Sequence, residues 1–154
     1  MNKLLTTEAF DIFLLEEANI KTAATYTIDG YVNQDFFSGD DTENPLTNHD
    51  FMPWSEAKSL CFQLIKGKRT PLLFKLVMHL KPEQTESLLQ KSGSSMSDTR
   101  LKALVLTIKY DGTKAILTTA ASYHTFVMDK EAEQIWDKAL MQYLGKLEIP
   151  FEEL

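Results

Sequence analysis

Hydrophobic and polar positions along the chain alternate with two different periods, and the places where one gives way to the other mark the elements. After a mixed apolar and acidic stretch at residues 11–19, Thr22, Ala24, Tyr26 and Ile28 share one face of an extended chain, which predicts a strand over about residues 19–28. Asp29-Gly30 then reads as a type I′ hairpin signal, because both central positions of that turn need positive φ, and residues 31–37 are expected to form the returning strand. Residues 38–50 contain Ser, Gly, Asp, Asn and Pro in close succession and predict a mobile acidic loop.

The period then lengthens. Ser55 is placed to cap a helix with Glu56 in its first turn, and Ala57, Leu60, Cys61, Leu64 and Ile65 recur at helical spacing until Gly67 ends the run. From Pro71 the period returns to two: Leu72, Phe74, Leu76, Met78 and Leu80 face one way, Leu73, Lys75, Val77 and His79 the other. Pro82 suits a first helical turn and introduces a short helix over residues 83–91 that Gly93 stops, with a loop expected at residues 92–99. Strands at residues 101–110 and 114–123 flank Asp111-Gly112 as a second hairpin, with Leu104, Leu106 and Ile108 aligned on one face. A last helix is expected after Asp129, where Ala132, Ile135, Trp136, Ala139, Leu140, Tyr143 and Leu144 make a continuous stripe ended by Gly145.

Two hairpins and a further strand separated by single helices do not repeat the β-α alternation of a doubly wound protein. The expected fold is therefore α+β: an antiparallel or mixed sheet covered by about three helices, in a single globular domain over residues 1–154. That length is enough to bury one core without disulfides or metal, and 44% hydrophobic with 25% charged residues is ordinary for a folded domain.

Charge and cysteine content narrow the function classes. A formal net charge of -6 disfavours nucleic acid as a partner, since non-specific affinity for it comes from cations displacing condensed counterions. Cys61 is the only cysteine, which excludes an intrachain disulfide and a multi-thiolate zinc cluster and fits a reducing, cytoplasmic setting. The amino end starts like a signal peptide, but Glu8 and Asp11 interrupt it, and no apolar run approaches the ~20 residues that span a bilayer, so no membrane association is expected.

Candidate chemistry is sparse. Asp40, Asp41, Glu43, His49 and Asp50 carry metal-ligating groups, yet their spacing fits no calcium loop and Pro45-Leu46 interrupts them; a solvated acidic loop is the simpler reading, and neither a metal nor another cofactor is expected. Lys66-Gly67-Lys68-Arg69-Thr70 looks like part of a phosphate loop, but Phe62 stands where the upstream glycine belongs and Arg69 where the magnesium ligand belongs. Lys66, Lys68 and Arg69 are instead kept as a partner-binding patch beyond a helix end, which Lys75 and Lys81 would extend if they point the same way. Ser122, His124 and Asp129 lack a nucleophile elbow, and His79 and His124 read as structural or surface residues. Cys61, on an apolar stripe, reads as core; Trp136, Tyr143, Phe36 and Phe37 read as packing residues.

Thr27-Ile28-Asp29-Gly30, Asp35-Phe36-Phe37 and Leu64-Ile65-Lys66-Gly67-Lys68-Arg69-Thr70-Pro71 together resemble an uncharacterised family of short clostridial proteins, a domain of unknown function. The likeness extends over most of the chain, including the helix before Gly93 and the Trp136 helix. It implies a bacterial cytosolic origin and a shared fold, and no activity, cofactor or catalytic residue. The function expected from the residues is a non-catalytic cytosolic binding or scaffold protein, engaging a protein partner or a second copy of itself. The alternatives are a metal-assisted hydrolase and a small-molecule carrier, each with a site assembled from separated loops.

Overall fold

The computed structural model describes residues 2–37, 44–93 and 101–154. The class is α+β, with six strands in one antiparallel sheet and four α-helices among the described residues. The elements are α1 (Asn2–Thr6), β1 (Phe13–Lys21), β2 (Thr25–Asp29), β3 (Met52–Pro53), α2 (Trp54–Ile65), β4 (Leu73–Leu80), α3 (Pro82–Lys91), β5 (Leu101–Tyr110), β6 (Ala115–Tyr123) and α4 (Glu131–Lys146). Strand order is β2-β1-β4-β5-β6, and β3 pairs with the amino-terminal part of β1. The expected sheet is thus antiparallel, and Leu72 N–H donating to the Lys21 carbonyl (2.9 Å) shows the reversal of β4 on β1.

The contacts group into two compact units, Met1–His79 with Thr107–Leu117 and Leu80–Leu106 with Thr118–Leu154. In the first, Phe13, Leu15, Ala18 and Ile20 of β1 and Phe74, Leu76 and Met78 of β4 are fully buried with Trp54 and Cys61 of α2. The buried Trp54 indole satisfies its one donor on the Leu4 carbonyl at 3.1 Å, which ties α1 to α2. In the second, Leu89 of α3, Leu104 and Leu106 of β5, and Ala132, Trp136, Leu140 and Leu144 of α4 are buried, and Trp136 Nε1 donates to the Val105 carbonyl at 2.8 Å.

The first hairpin differs from the expected one. β1 and β2 pair with each other, Glu17 opposite Asp29 through Lys21 opposite Thr25, and the reversal falls at residues 22–24, where Thr22 N–H donates to the Ala24 carbonyl at 2.8 Å. What reads as one strand over residues 19–28 is therefore the end of one strand and most of the next. Gly30 is no turn glycine either: positive φ occurs at Gly93 and Gly112 among the described glycines, not at Gly30. Its N–H donates to the Glu16 carbonyl and its carbonyl accepts from Met52 N–H, both at 2.8 Å, so it lies flat against β1 where β2 hands over to β3. A Cβ here would drive into the Leu15 carbonyl, and that close approach is what requires glycine. Residues 31–37 make an isolated bridge from Tyr31 to Phe51 and then a 3-10 turn (Gln34–Phe37) in place of a returning strand.

Other boundaries shift by a residue or two. α2 starts at Trp54 with Pro53 as its N-cap, so Ser55 lies inside the first turn, and it stops at Ile65 without a left-handed Gly67. Leu60, expected on the buried stripe, is half exposed, while Lys58 turns inward to Asp11 Oδ1 (2.9 Å) and the Thr7 carbonyl (3.0 Å). α4 runs through Gly145: the left-handed position is Glu148 (φ 57), and Glu148 N–H to the Gly145 carbonyl with Ile149 N–H to the Leu144 carbonyl completes a Schellman motif. Within the expected acidic loop, residues 44–50 carry a 3-10 turn (Pro45–Asn48) capped by Asn44; residues 38–43, and 94–100 of the second expected loop, lie outside the described residues.

Candidate basic site at one end of the sheet

Lys66, Lys68 and Arg69 are all exposed on the connection that carries the chain from α2 to β4. The connection is extended from Lys66 (φ -85, ψ 102) and fastened at its start by Lys66 N–H to the Phe62 carbonyl at 2.8 Å. The Lys66 ammonium lies 5.9 Å from the Phe62 ring centre, near enough for a weak cation–π attraction. At its far end Pro71 is buried, and the Leu72–Lys21 hydrogen bond fixes where β4 begins.

That bond is the point on which the site turns. It places Lys21, the last residue of β1, beside the segment that follows Arg69. On the other side the β5–β6 hairpin tip arrives: a Cβ on Gly112 would touch the Leu72 carbonyl at 3.4 Å, and Phe74 stacks on Tyr110 with ring centres 5.2 Å apart. The tip carries Lys114 and is held by Asp111, whose Oδ1 accepts from Thr113 N–H (3.0 Å), Thr113 Oγ1 (2.8 Å) and Lys114 N–H (3.0 Å). Those backbone bonds, then the hydroxyl and the adjacent Lys114 charge, hold the Asp111 carboxyl down at about 2, so it stays ionised and turned into its own loop. Three connections of the first unit thereby bring Lys21, Lys66, Lys68, Arg69 and Lys114 to one end of its sheet. Among the described residues none has a carboxylate within ion-pair distance. Leu72, between Arg69 and the start of β4, is 61% exposed at that same end. Lys75 is exposed on β4, whereas Lys81 belongs to the second unit.

Lys21, Leu72 and Lys114 carry no local signal that would join them to residues 66–69; only strand order does. The remaining candidates divide plainly. Cys61 is fully buried, and burial pushes its thiol up to about 11, as a core cysteine requires. His79 is buried, its Nε2 3.3 Å from Glu16 Oε2 and its ring edge-on to Phe51 at 4.8 Å, so it joins β4 to β1. His124 is exposed, Asp129 Oδ1 accepts from Glu131 N–H at the start of α4, and no hydrogen bond links Ser122, His124 and Asp129 among the described residues. Trp136 packs as expected, whereas Phe36 is 82% exposed, edge-on to Phe37. Asp40, Asp41 and Glu43 lie outside the described residues, and among those described no three His, Cys, Asp or Glu residues gather as a metal site. No described helix is long and apolar enough to cross a membrane.

No curated protein and no solved structure matches the chain. A family described as a family of unknown function, DUF5721, matches residues 3–152. With a match that spans nearly the whole sequence, the chain belongs to the DUF5721 family.

Proposed function

We propose that this protein is a non-catalytic binding protein that docks an acidic segment of a protein partner on the basic end of its first unit. The observation that carries the reading is that the connections bearing Lys21, Lys66, Lys68, Arg69 and Lys114 meet at the end of the sheet where Leu72 is exposed, on a chain whose net charge is -6. In such a molecule a local positive field is set against the average, which steers anionic groups to one place and orients them on arrival. Leu72 supplies what cations alone lack, an apolar contact that excludes water. The resemblance to clostridial proteins and the single buried thiol support a bacterial cytosolic setting.

The reading is tested by fluorescence anisotropy with a labelled peptide of alternating glutamate and leucine. Binding is expected to weaken steeply as salt rises from about 50 to 300 mM, because the Debye length shrinks from roughly 14 to 6 Å. It should fall at least about tenfold on Lys68→Glu with Arg69→Glu, at unchanged thermal stability. Equal binding by wild type and variant, or preference for a single-stranded oligonucleotide over the peptide, would overturn the assignment.

A further inference from the structure

The two edges of the sheet are protected very differently. β2 (Thr25–Asp29) is only five residues long and ends in Asp29, whose carboxylate accepts from Tyr31 N–H at 3.0 Å. β6 (Ala115–Tyr123) is nine residues, Ala-Ile-Leu-Thr-Thr-Ala-Ala-Ser-Tyr, without a charge, a proline or a glycine. Among the described residues no strand pairs with its outer side, and Ala115, Ile116, Thr118 and Ala120 are exposed along it. Natural sheets blunt such edges with short strands, inward charges, prolines or bulges, since every second residue offers an unpaired N–H and C=O to an incoming strand. β2 is short and ends on the exposed, charged Asp29, and β6 carries none of these devices.

We infer that β6 is a homodimer interface, pairing antiparallel with β6 of a second copy about a twofold axis through Thr119. The occupant follows from the sequence of the strand. Full overlap sets Thr119 opposite Thr119, Thr118 opposite Ala120, Leu117 opposite Ala121, Ile116 opposite Ser122 and Ala115 opposite Tyr123. No pair in that register, or in one shifted by two residues, sets like charges against each other, so the strand is self-compatible on a molecule whose net charge of -6 otherwise resists self-association. A foreign strand would find no charge here to select it. The twofold makes the same patch serve both partners, which is the closed geometry of a dimer, and the overlap supplies about eight to ten main-chain hydrogen bonds. Thr119 Oγ1 donates to Asp137 Oδ1 of α4 at 3.0 Å, so α4 meets β6 through the face that carries Thr119.

The inference is independent of the basic site and is tested without it. Sedimentation velocity on the full chain over about 5 to 300 μM is expected to show a monomer–dimer equilibrium with a Kd of the order of 10 μM, the strength of a small, mainly backbone interface. Thr118→Lys with Ala120→Lys places lysine against lysine twice across the axis and should raise that Kd by about tenfold or more. Thr118→Lys with Ala120→Glu places lysine against glutamate twice and should return the Kd to near the wild-type value. Both pairs of side chains are exposed, so circular dichroism and melting temperature should be those of the wild type. A wild type that stays monomeric at the top concentration overturns the inference, as does equal association by the two variants.

Discussion

Gly30→Ala should come close to unfolding the protein. The added methyl group would lie 2.8 Å from the Leu15 carbonyl carbon and 3.2 Å from the Glu16 oxygen, and nearer still to the Leu15 oxygen. Carbon atoms are at ease at about 3.5 to 4.0 Å, so the β1 backbone must retreat by roughly an ångström. It cannot do so freely, because Leu14, Leu15 and Ala18 are packed in the core on either side of the contact. The retreat strains or breaks two 2.8 Å bonds, Gly30 N–H to Glu16 and Met52 N–H to Gly30. At about 1 to 3 kcal/mol for each of the two bonds, the loss is about 2 to 6 kcal/mol, a large share of the ~5 to 15 kcal/mol that holds a domain together. Urea unfolding followed by tryptophan fluorescence reads it directly. The control is Gly67→Ala, where the nearest atom to the new Cβ is the Arg69 carbonyl oxygen at 4.0 Å and the change should stay within about 0.5 kcal/mol. A Gly30→Ala protein with a wild-type midpoint would refute both the handover from β2 to β3 and the reason given for glycine there.

Three further outcomes follow from local geometry. Glu148→Gly relieves a left-handed residue at the end of α4 and should stabilise by about 1 kcal/mol, a rise of ~2 to 4 °C in Tm by calorimetry. Trp136→Phe removes the donor to the Val105 carbonyl and should cost about 1 to 3 kcal/mol in chemical denaturation. Cys61 should react with iodoacetamide at pH 8 at least about a hundredfold more slowly than a free thiol. Its folded pKa of about 11 stands above the unfolded value of 9.0, so the stabilisation from keeping it neutral is complete below pH 9 and is lost as pH rises from 9 to 11. A fall in stability across that window that is absent in Cys61→Ala checks the sign.

The parts of the fold that can be read from the chain are those where local pattern and tertiary demand agree. β4 alternates because one of its faces is core, with Phe74, Leu76, Met78 and Leu80 all buried. The Asp111-Gly112 reversal is legible because Gly112 does take φ 100 and the Asp111 side chain organises the loop. Asp29-Gly30 misleads because the same dipeptide serves a close backbone approach instead of a turn, while the true reversal at residues 22–24 is Thr-Ala-Ala, with no glycine, proline or asparagine. β1 hides for a related reason: Phe-Leu-Leu-Glu-Glu-Ala is a good helical sequence, and burial between neighbours overrides that preference. α1 has only five residues and is held by Trp54 and the buried Leu4 and Leu5, contacts that no local period reveals. Of the basic site, the cluster Lys66, Lys68 and Arg69 is visible as a run beyond a helix. Lys21 and Lys114 join it through pairings between strands far apart in the chain.

A protein partner at the basic end is tested most directly by gentle affinity purification of the tagged endogenous protein, with intact-mass analysis of everything retained. It is run in parallel on the wild type and on Lys68→Glu with Arg69→Glu. The predicted result is a stoichiometric protein with an acidic segment that the wild type holds at low salt and the variant releases, both chains remaining folded. Retention of that protein by the variant at the wild-type level, or a wild type that carries a metal or metabolite in place of a protein, would contradict it.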